Sequence, residues 1–280
     1  MEIARQEVTA IVREADRDRY LSALYAPEPH RDALMALYAF NAEIAAVRER
    51  VSEPLPGEVR LQWWRDVLSA GDPAAAGGHP TAVALLEVIR THHLPVETFR
   101  NMLDARLFDL YNDPMPSRTD LEGYCGETAS ALIQLAGLVL DAEAATATAA
   151  LAGHAGCAQA MTGLLLLLPI HRRRGQCYFP LDLLSAAGTT REAFLSGEDR
   201  EGSGRAVAAM TALARAHLSA FRQGAAALQA SLRPAYLPLA LTDAYLRRIE
   251  SGAVDPLVDI AEITPLRRHG LVFMRALRGW

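Results

Sequence analysis

Apolar residues recur at helical spacing along most of this chain. In the segment 30–51, Leu34, Leu37 and Tyr38 are followed by Ile44 and Val47 at separations of three, four and seven, which places them on one face of an amphipathic helix. No segment shows the alternating β-branched residues that are typical of strands. The pattern predicts an all-α fold with further helices at about 57–70, 80–92, 96–110, 118–140, 142–168, 205–232, 237–252 and 264–277.

Two of these helices, 118–140 and 142–168, are rich in alanine and leucine on nearly every face. A helix that is apolar all round is buried in a large core or lines a cavity. We therefore predict a helical bundle that encloses a central apolar cavity. The segment SGEDREGSG (196–204) is the most loop-like stretch, but it joins helices of the same character. Residues 1–280 are accordingly predicted to form a single domain.

The composition is that of an ordinary globular protein and excludes several classes of chemistry. The chain has 280 residues, of which 51% are hydrophobic, and its net charge is −5. A protein that binds nucleic acid by neutralising phosphates would be basic, so no nucleic-acid partner is expected. All 28 lysine-or-arginine positions hold arginine. The absence of lysine rules out a lysine Schiff base and a P-loop lysine.

The cysteines and the first residues bear on the cellular compartment. Cys125, Cys157 and Cys177 form no CxxC pair, and their odd number argues against a disulfide scaffold. Residues 1–20 are patterned as a charged helix without the apolar core of a signal peptide. No apolar run approaches the length of a membrane span. A cytoplasmic protein is expected.

Four stretches, in order along residues 26–180, carry a family pattern. They are APEPHRDALMALYAFNAEI (26–44), DLYNDPMPSRTDLEGYCGETAS (109–130), GCAQAMT (156–162) and RRGQCYFP (173–180). Together they resemble the squalene/phytoene synthase family, which implies an isoprenoid-synthase-like helical bundle. The enzymes of that family condense isoprenoid diphosphates head to head and hold Mg²⁺ between aspartates on two facing helices.

Both aspartate motifs are degenerate in this sequence. Where a family enzyme has D-D-x-x-D, the matching positions hold Ala45, Ala46 and Glu49, and the second motif falls between Leu167 and His171. Alkyl side chains cannot bind Mg²⁺, so no metal site and no cofactor are expected. We also expect Ala45, Ala46 and Leu167 to lie inside the bundle. Aspartates there would then be costly, because buried unpaired carboxylates destabilise a fold.

Residues near these positions are candidates for ligand binding. Glu43 and Glu49 could share part of a helix face and bind a metal, or could be a solvated pair. His171 and the three arginines after it could hold a phosphate, or could form a solvated basic turn. The resemblance further implies that Tyr124 and Tyr178 line the cavity. The full set of ligand-binding candidates is Glu43, Tyr124, Gln159, Arg172, Arg173, Arg174 and Tyr178.

One branch of the family matches the segment that lost its aspartates. AFNAEIAAVRERVSEPLPGEVRLQWWRD (39–66) resembles the complex I (NADH:ubiquinone oxidoreductase) assembly factor branch. That resemblance implies a non-catalytic protein that acts with a protein partner in complex I assembly, or that binds a prenyl lipid at the membrane. The alternative is an active farnesyl or geranylgeranyl diphosphate transferase, with Mg²⁺ on Glu43, Glu49 and the Asp109 region. A lipid-binding protein without an assembly role is a third reading.

The segment TPLRRHGLVFMRALRGW (264–280) is patterned as a basic amphipathic helix. Leu266, Phe273 and Leu277 form an apolar row, and the segment contains four arginines but no acidic residue. Such a helix suits peripheral contact with the inner face of an anionic membrane. The other reading is that the apolar row packs onto the bundle and the arginines are solvated.

Overall fold

The computed structural model describes residues 2–280, and over this range the chain is helical and contains no strand. The predicted all-α fold is confirmed. Short 3₁₀ turns and one π-helical segment, Gly126–Ser130, connect or extend the α-helices. In chain order these are α1 (Glu2–Ala15), α2 (Arg17–Leu24), α3 (Glu28–Ala45), α4 (Pro54–Ala70), α5 (Pro80–His92), α6 (Val96–Leu107), α7 (Arg118–Cys125), α8 (Ala131–Leu140), α9 (Ala142–Ala147), α10 (Ala149–Leu166), α11 (Leu168–Arg173), α12 (Leu181–Ala186), α13 (Arg191–Ser196), α14 (Arg200–Gly224), α15 (Arg233–Tyr236), α16 (Thr242–Glu250) and α17 (Pro265–Arg278).

The chain folds into two compact units, each assembled from three separate stretches. Unit 1 contains the N-terminal stretch to Tyr111 together with Ala131–Ala149 and Leu228–Leu237. Unit 2 contains Asn112–Ser130, Ala150–Ala227 and Pro238–Trp280. That residues 1–280 behave as a single domain stays a prediction.

Unit 1 is built around α3. Leu34, Leu37 and Phe40 on this helix are fully buried, as their three- and four-residue spacing predicts. Helices α1, α2, α5 and α8 pack against α3, and α4 packs against α5 and α6. Pro29 in the first turn of α3 suits a helix start, because proline has no N–H to leave unpaired there.

Unit 2 is organised by α14, its longest helix. Met210, Ala214 and Phe221 are fully buried along one face of α14. Helices α12, α13 and α16 pack against that helix. Within the same unit, the π-helical segment lies so close to α10 that a Cβ on Gly156 would meet the Ser130 backbone at 2.3 Å. Only glycine fits that position, which sets the spacing of the two elements.

Several helix boundaries differ from the predictions. The segment 196–204 was predicted to be loop, but α14 already begins at Arg200, because the Asp199 side chain caps the helix by accepting a hydrogen bond from Gly202 N at 2.8 Å. The predicted helix 142–168 is broken twice, at Thr148 and at Leu167. The predicted helix over 30–51 ends at Ala45.

Helix α10 is, by length and composition alone, apolar enough to cross a membrane. It is the one helix of residues 2–280 that meets this test, and nearly half of it is buried inside the structure. The core helices of globular domains meet the same test. A hydrogen bond between His154 of α10 and His217 of α14, described below, agrees with α10 being a core helix of unit 2.

Candidate functional site

The first degenerate motif lies at the end of α3 rather than along a helix face. Ala45 is the last residue of α3, Ala46 follows it, and both are half-buried. Glu49 is exposed in the 3₁₀ turn Arg48–Arg50. The prediction that Glu43 and Glu49 share part of a helix face is therefore wrong, because the α-helix ends between them.

Glu43 points into unit 1 and is buried there. Its carboxylate accepts a hydrogen bond from Thr81 Oγ1, and its Oε2 lies 3.4 Å from His79 Nε2. The His79 ring packs against both Trp63 and Trp64, with ring centroids 5.1 and 5.6 Å away. The two polar partners of Glu43, His79 and Thr81, lie at the start of α5. The Glu43 carboxylate therefore joins α3 to α5.

Asp109, proposed above as a ligand in the alternative enzyme reading, is also engaged within unit 1. It is buried, and its Oδ2 accepts a hydrogen bond from Arg106 Nη1 at 3.0 Å. Among residues 2–280, no group of three or more histidine, cysteine, aspartate or glutamate side chains is arranged to hold a metal ion.

The second degenerate motif lies at a helix break in unit 2. Helix α10 ends at Leu166, and the new helix α11 starts at Leu168 with Pro169 in its first turn. Leu167, at the break, is 43% exposed. The prediction that Leu167 lies in the interior is wrong, because the break turns its side chain to solvent.

Arg172 has a structural role that the sequence did not reveal. Its Nε donates to Phe194 O at 2.9 Å and its Nη1 donates to Leu257 O at 2.8 Å, while Nη2 lies 3.4 Å from Leu195 O. The guanidinium thus joins α11 to the end of α13 and to the segment after α16. Three of its five N–H groups are directed at carbonyl oxygens, which supports a structural role, and that Arg172 holds a phosphate stays a prediction.

The other residues of this basic turn are more accessible. Arg173 is exposed and its Nε donates to Pro169 O at 3.2 Å, while Arg174 is exposed at the end of α11. Gln159 is half-buried on α10. None of these positions is tested further by the structure, and their roles stay predictions.

Three of the predicted aromatic and imidazole side chains do come together in unit 2. The Tyr178 ring lies 4.8 Å from the His171 ring and 5.8 Å from the Tyr124 ring. Tyr178 is buried, whereas His171 and Tyr124 are half-buried. This cluster combines an apolar surface with polar tips, which suits contact with an unsaturated hydrocarbon.

A polar chain in unit 2 was not predicted from the sequence. His217 Nε2 lies 3.1 Å from Glu122 Oε1, and His217 Nδ1 lies 3.1 Å from His154 Nδ1. Arg118 Nε also donates to Glu122 Oε1, at 2.7 Å. Burial of Glu122 raises its pKa, but the hydrogen bonds from Arg118 and His217 outweigh burial and the pKa is lowered overall. The sequence carries no signal for this chain because its members lie on three separate helices.

The three cysteines are buried and reduced in unit 2. A hydrogen bond with the Cys125 side chain lowers the pKa of Cys157 against the opposing effect of burial. Burial raises the pKa of Cys177. Neither geometry nor accessibility gives these thiols a role in a reaction.

Comparisons with known proteins place this geometry in context. The profile described as Squalene/phytoene synthase matches residues 12–268. The chain is 28% identical over 249 residues to "NADH dehydrogenase (ubiquinone) complex I, assembly factor 6" of Bos taurus, covering 88% of this chain and 73% of the relative. It is 28% identical over 120 residues to phytoene synthase 2 of Oryza sativa subsp. japonica, which covers 41% of this chain and 30% of that protein. The fold matches a dehydrosqualene synthase crystallised with a ligand at a TM-score of 0.82, with 16% identity and coverage of 100% of this chain and 98% of that one.

Proposed function

Because the chain belongs to the squalene/phytoene synthase family, we propose that it is a non-catalytic member which acts in the assembly of respiratory complex I. The observation that carries the proposal is the loss of carboxylates at both metal motifs. The sequence resemblance places Ala45, Ala46 and Leu167 at the positions where the family enzymes have aspartates. The other candidate carboxylates, Glu43 and Asp109, are engaged in hydrogen bonds of their own within unit 1.

The similarity to complex I assembly factors supports the assembly role in particular. It covers 88% of the chain, whereas the similarities to two phytoene synthases cover 41% and 69% of it. We infer that the fold was retained as a binding scaffold after the metal ligands were lost. A protein of this kind would bind a subunit or intermediate of complex I and would work at the membrane that holds the complex.

The test is deletion of the gene followed by complementation. We expect membranes of the deletion strain to lose NADH:ubiquinone activity and fully assembled complex I on native gels, while succinate oxidation is unchanged. The wild-type gene should restore both. Normal amounts of complex I in the deletion strain would contradict the proposed function.

The non-catalytic part of the proposal is tested with the purified protein. Farnesyl or geranylgeranyl diphosphate is supplied with and without Mg²⁺, and an active phytoene synthase serves as the positive control. We expect no squalene-type or phytoene-type product, because neither motif supplies two aspartates. Robust Mg²⁺-dependent product formation would establish the alternative, a prenyl transferase with other ligands.

We also infer that the small ligand of this protein is an apolar prenyl-type or quinone-type lipid. The support is the cluster of Tyr124, His171 and Tyr178 in unit 2. Native mass spectrometry after exposure to a prenyl quinone would detect such a complex. Tyr178→Ala should lose the bound lipid while Tyr111→Ala, which removes an exposed tyrosine of unit 1, should keep it.

A further inference from the structure

Helix α17 packs on unit 2 through its arginine side. Val272 is its one buried residue within Pro265–Arg278. On the same side, Arg268 Nη2 donates to Tyr245 Oη at 3.0 Å, and the Arg275 guanidinium lies 4.5 Å from the centre of the Trp280 ring. This arrangement contradicts the reading in which the apolar row is packed and all the arginines are solvated.

Trp280 is likewise turned towards unit 2. Its ring packs edge-on against Phe221 of α14, with centroids 4.8 Å apart. The terminal tryptophan therefore fixes the end of α17 on the protein and does not belong to the face that points away.

The opposite side of α17 presents an apolar row to solvent. Leu266, Phe273 and Leu277 are 86%, 49% and 63% exposed, and Met274 beside them is 40% exposed. Positions seven and eleven residues apart fall on one face of an α-helix. Three large side chains aligned on one exposed helix face are more than the scattered apolar residues of an ordinary surface. We call this row, with Met274, the α17 apolar face.

Positive charge flanks the α17 apolar face. Arg267 and Arg278 are exposed and follow, respectively, the first and the last residue of the row in sequence, and His269 is also exposed. Residues 264–280 contain no acidic side chain; Asp259 and Glu262 lie before the helix begins. An apolar face with a cationic border is complementary to the headgroup region of an anionic bilayer.

We propose that α17 is a membrane-surface helix that inserts its apolar face into an anionic lipid layer. Leu266, Phe273 and Leu277 would enter the acyl boundary, and Arg267 and Arg278 would contact lipid phosphates. A second copy of the chain is a poor occupant, because it would bring the same positive charges together. The biological place of this contact rests on the proposed function at the complex I membrane, whereas the binding itself does not.

The experiment is vesicle flotation of the purified full-length protein. Phosphatidylcholine vesicles with and without phosphatidylglycerol are compared at low and high salt. We expect flotation with the anionic vesicles at low salt and its loss at high salt, because exposed charges are screened. A single helix of this kind gives reversible binding, so the lipid concentration is varied to obtain a partition constant.

Two pairs of substitutions test the two parts of the surface. Arg267→Gln/Arg278→Gln should lower partitioning about thirtyfold, from about 1 kcal/mol for each arginine near an anionic surface. Leu266→Gln/Leu277→Gln should abolish flotation. The matched control is Leu55→Gln/Val59→Gln, which removes a similarly exposed apolar pair of α4, 68% and 62% exposed, and should leave partitioning unchanged. Melting temperatures of all variants should match the wild type because the altered side chains are exposed.

Several results would overturn the proposal. They are no flotation of the wild type, equal flotation with neutral vesicles, and equal loss in the α4 control. If the α17 variants keep lipid binding but fail to restore complex I in the deletion strain, the face docks a protein and the lipid proposal is wrong. Since flotation requires no complex I, failure of the assembly proposal would leave its outcome unaffected.

Discussion

At the scale of single residues, Glu43 is a buried carboxylate that contacts its partners within unit 1. From the sequence, Glu43 was a candidate metal ligand together with Glu49, or one member of a solvated pair. The residues that satisfy it, His79 and Thr81, are more than 30 positions away, so no local pattern could reveal them. Its burial and its hydrogen bond to Thr81 indicate a structural contribution.

Leu167 gives the sharpest residue-scale prediction. Leu167→Asp should change the free energy of unfolding by no more than about 0.5 kcal/mol, because the side chain is exposed at the helix break. The matched substitution Leu165→Asp should cost several kcal/mol, because Leu165 is buried on α10 and its carboxylate would have no partner. Urea unfolding measures both changes. A large loss in Leu167→Asp would mean that this position is enclosed after all.

At the scale of helices, apolar periodicity together with a proline boundary predicted α5 well. Helix α5 occupies 80–92 as predicted, between Pro80 at its start and His93 in the left-handed conformation at its end. The short helices α12 and α13 were missed because six residues are too few to show an amphipathic period. Glycine and serine at the start of α14 suggested a loop, but the Asp199 cap and the tight fit of Gly202 against Thr189 fix a helix there.

Arg172 provides a prediction about how these elements are joined. Arg172→Lys should lower the free energy of unfolding by about 2–3 kcal/mol, because one ammonium cannot reach carbonyl oxygens of α13 and of Leu257 together. Hydrogen exchange should accelerate in peptides covering 252–263. The control is Arg173→Lys, where an exposed arginine makes one bond to a nearby carbonyl. Equal exchange in the two variants would contradict the structural role.

The contact of α7 with α14 through Glu122 and His217 predicts a dependence on pH. The folded pKa of Glu122 is below its ordinary value, so its contribution to stability is present above the unfolded pKa and is lost as the pH falls through the folded pKa. The melting temperature of the wild type should therefore fall more steeply than that of Glu122→Gln when the pH is lowered from about 6 to 3. Parallel curves for the two proteins would show that the carboxylate gains no stabilisation from the fold.

At the scale of the whole molecule, neither unit is a continuous piece of chain. Ala131–Ala149 and Leu228–Leu237 belong to unit 1, although both follow the first stretch of unit 2 along the chain. Between Ser130 and Ala131 the chain leaves one unit and enters the other without a loop, since the π-helical segment runs directly into α8. This division could not be predicted from the sequence, because hydrophobic patterning is the same on both sides of every crossing. Cutting the chain after Ser130, Ala149 or Ala227 would divide both units.

This interleaving leads to a prediction about cooperativity. The three tryptophans divide between the units, with Trp63 and Trp64 in unit 1 and Trp280 in unit 2. Trp280→Phe therefore makes fluorescence a reporter of unit 1, and Trp63→Phe/Trp64→Phe makes it a reporter of unit 2. In each variant we expect the urea midpoint from fluorescence to coincide with the midpoint from far-ultraviolet circular dichroism. The reason is that the stretches of one unit are joined by stretches of the other, so we expect the two units to unfold together. Comparing the two probes within one variant removes the effect of the substitution itself on stability. Midpoints that separate in either variant would show that the chain unfolds as two domains and that the single-domain prediction is wrong.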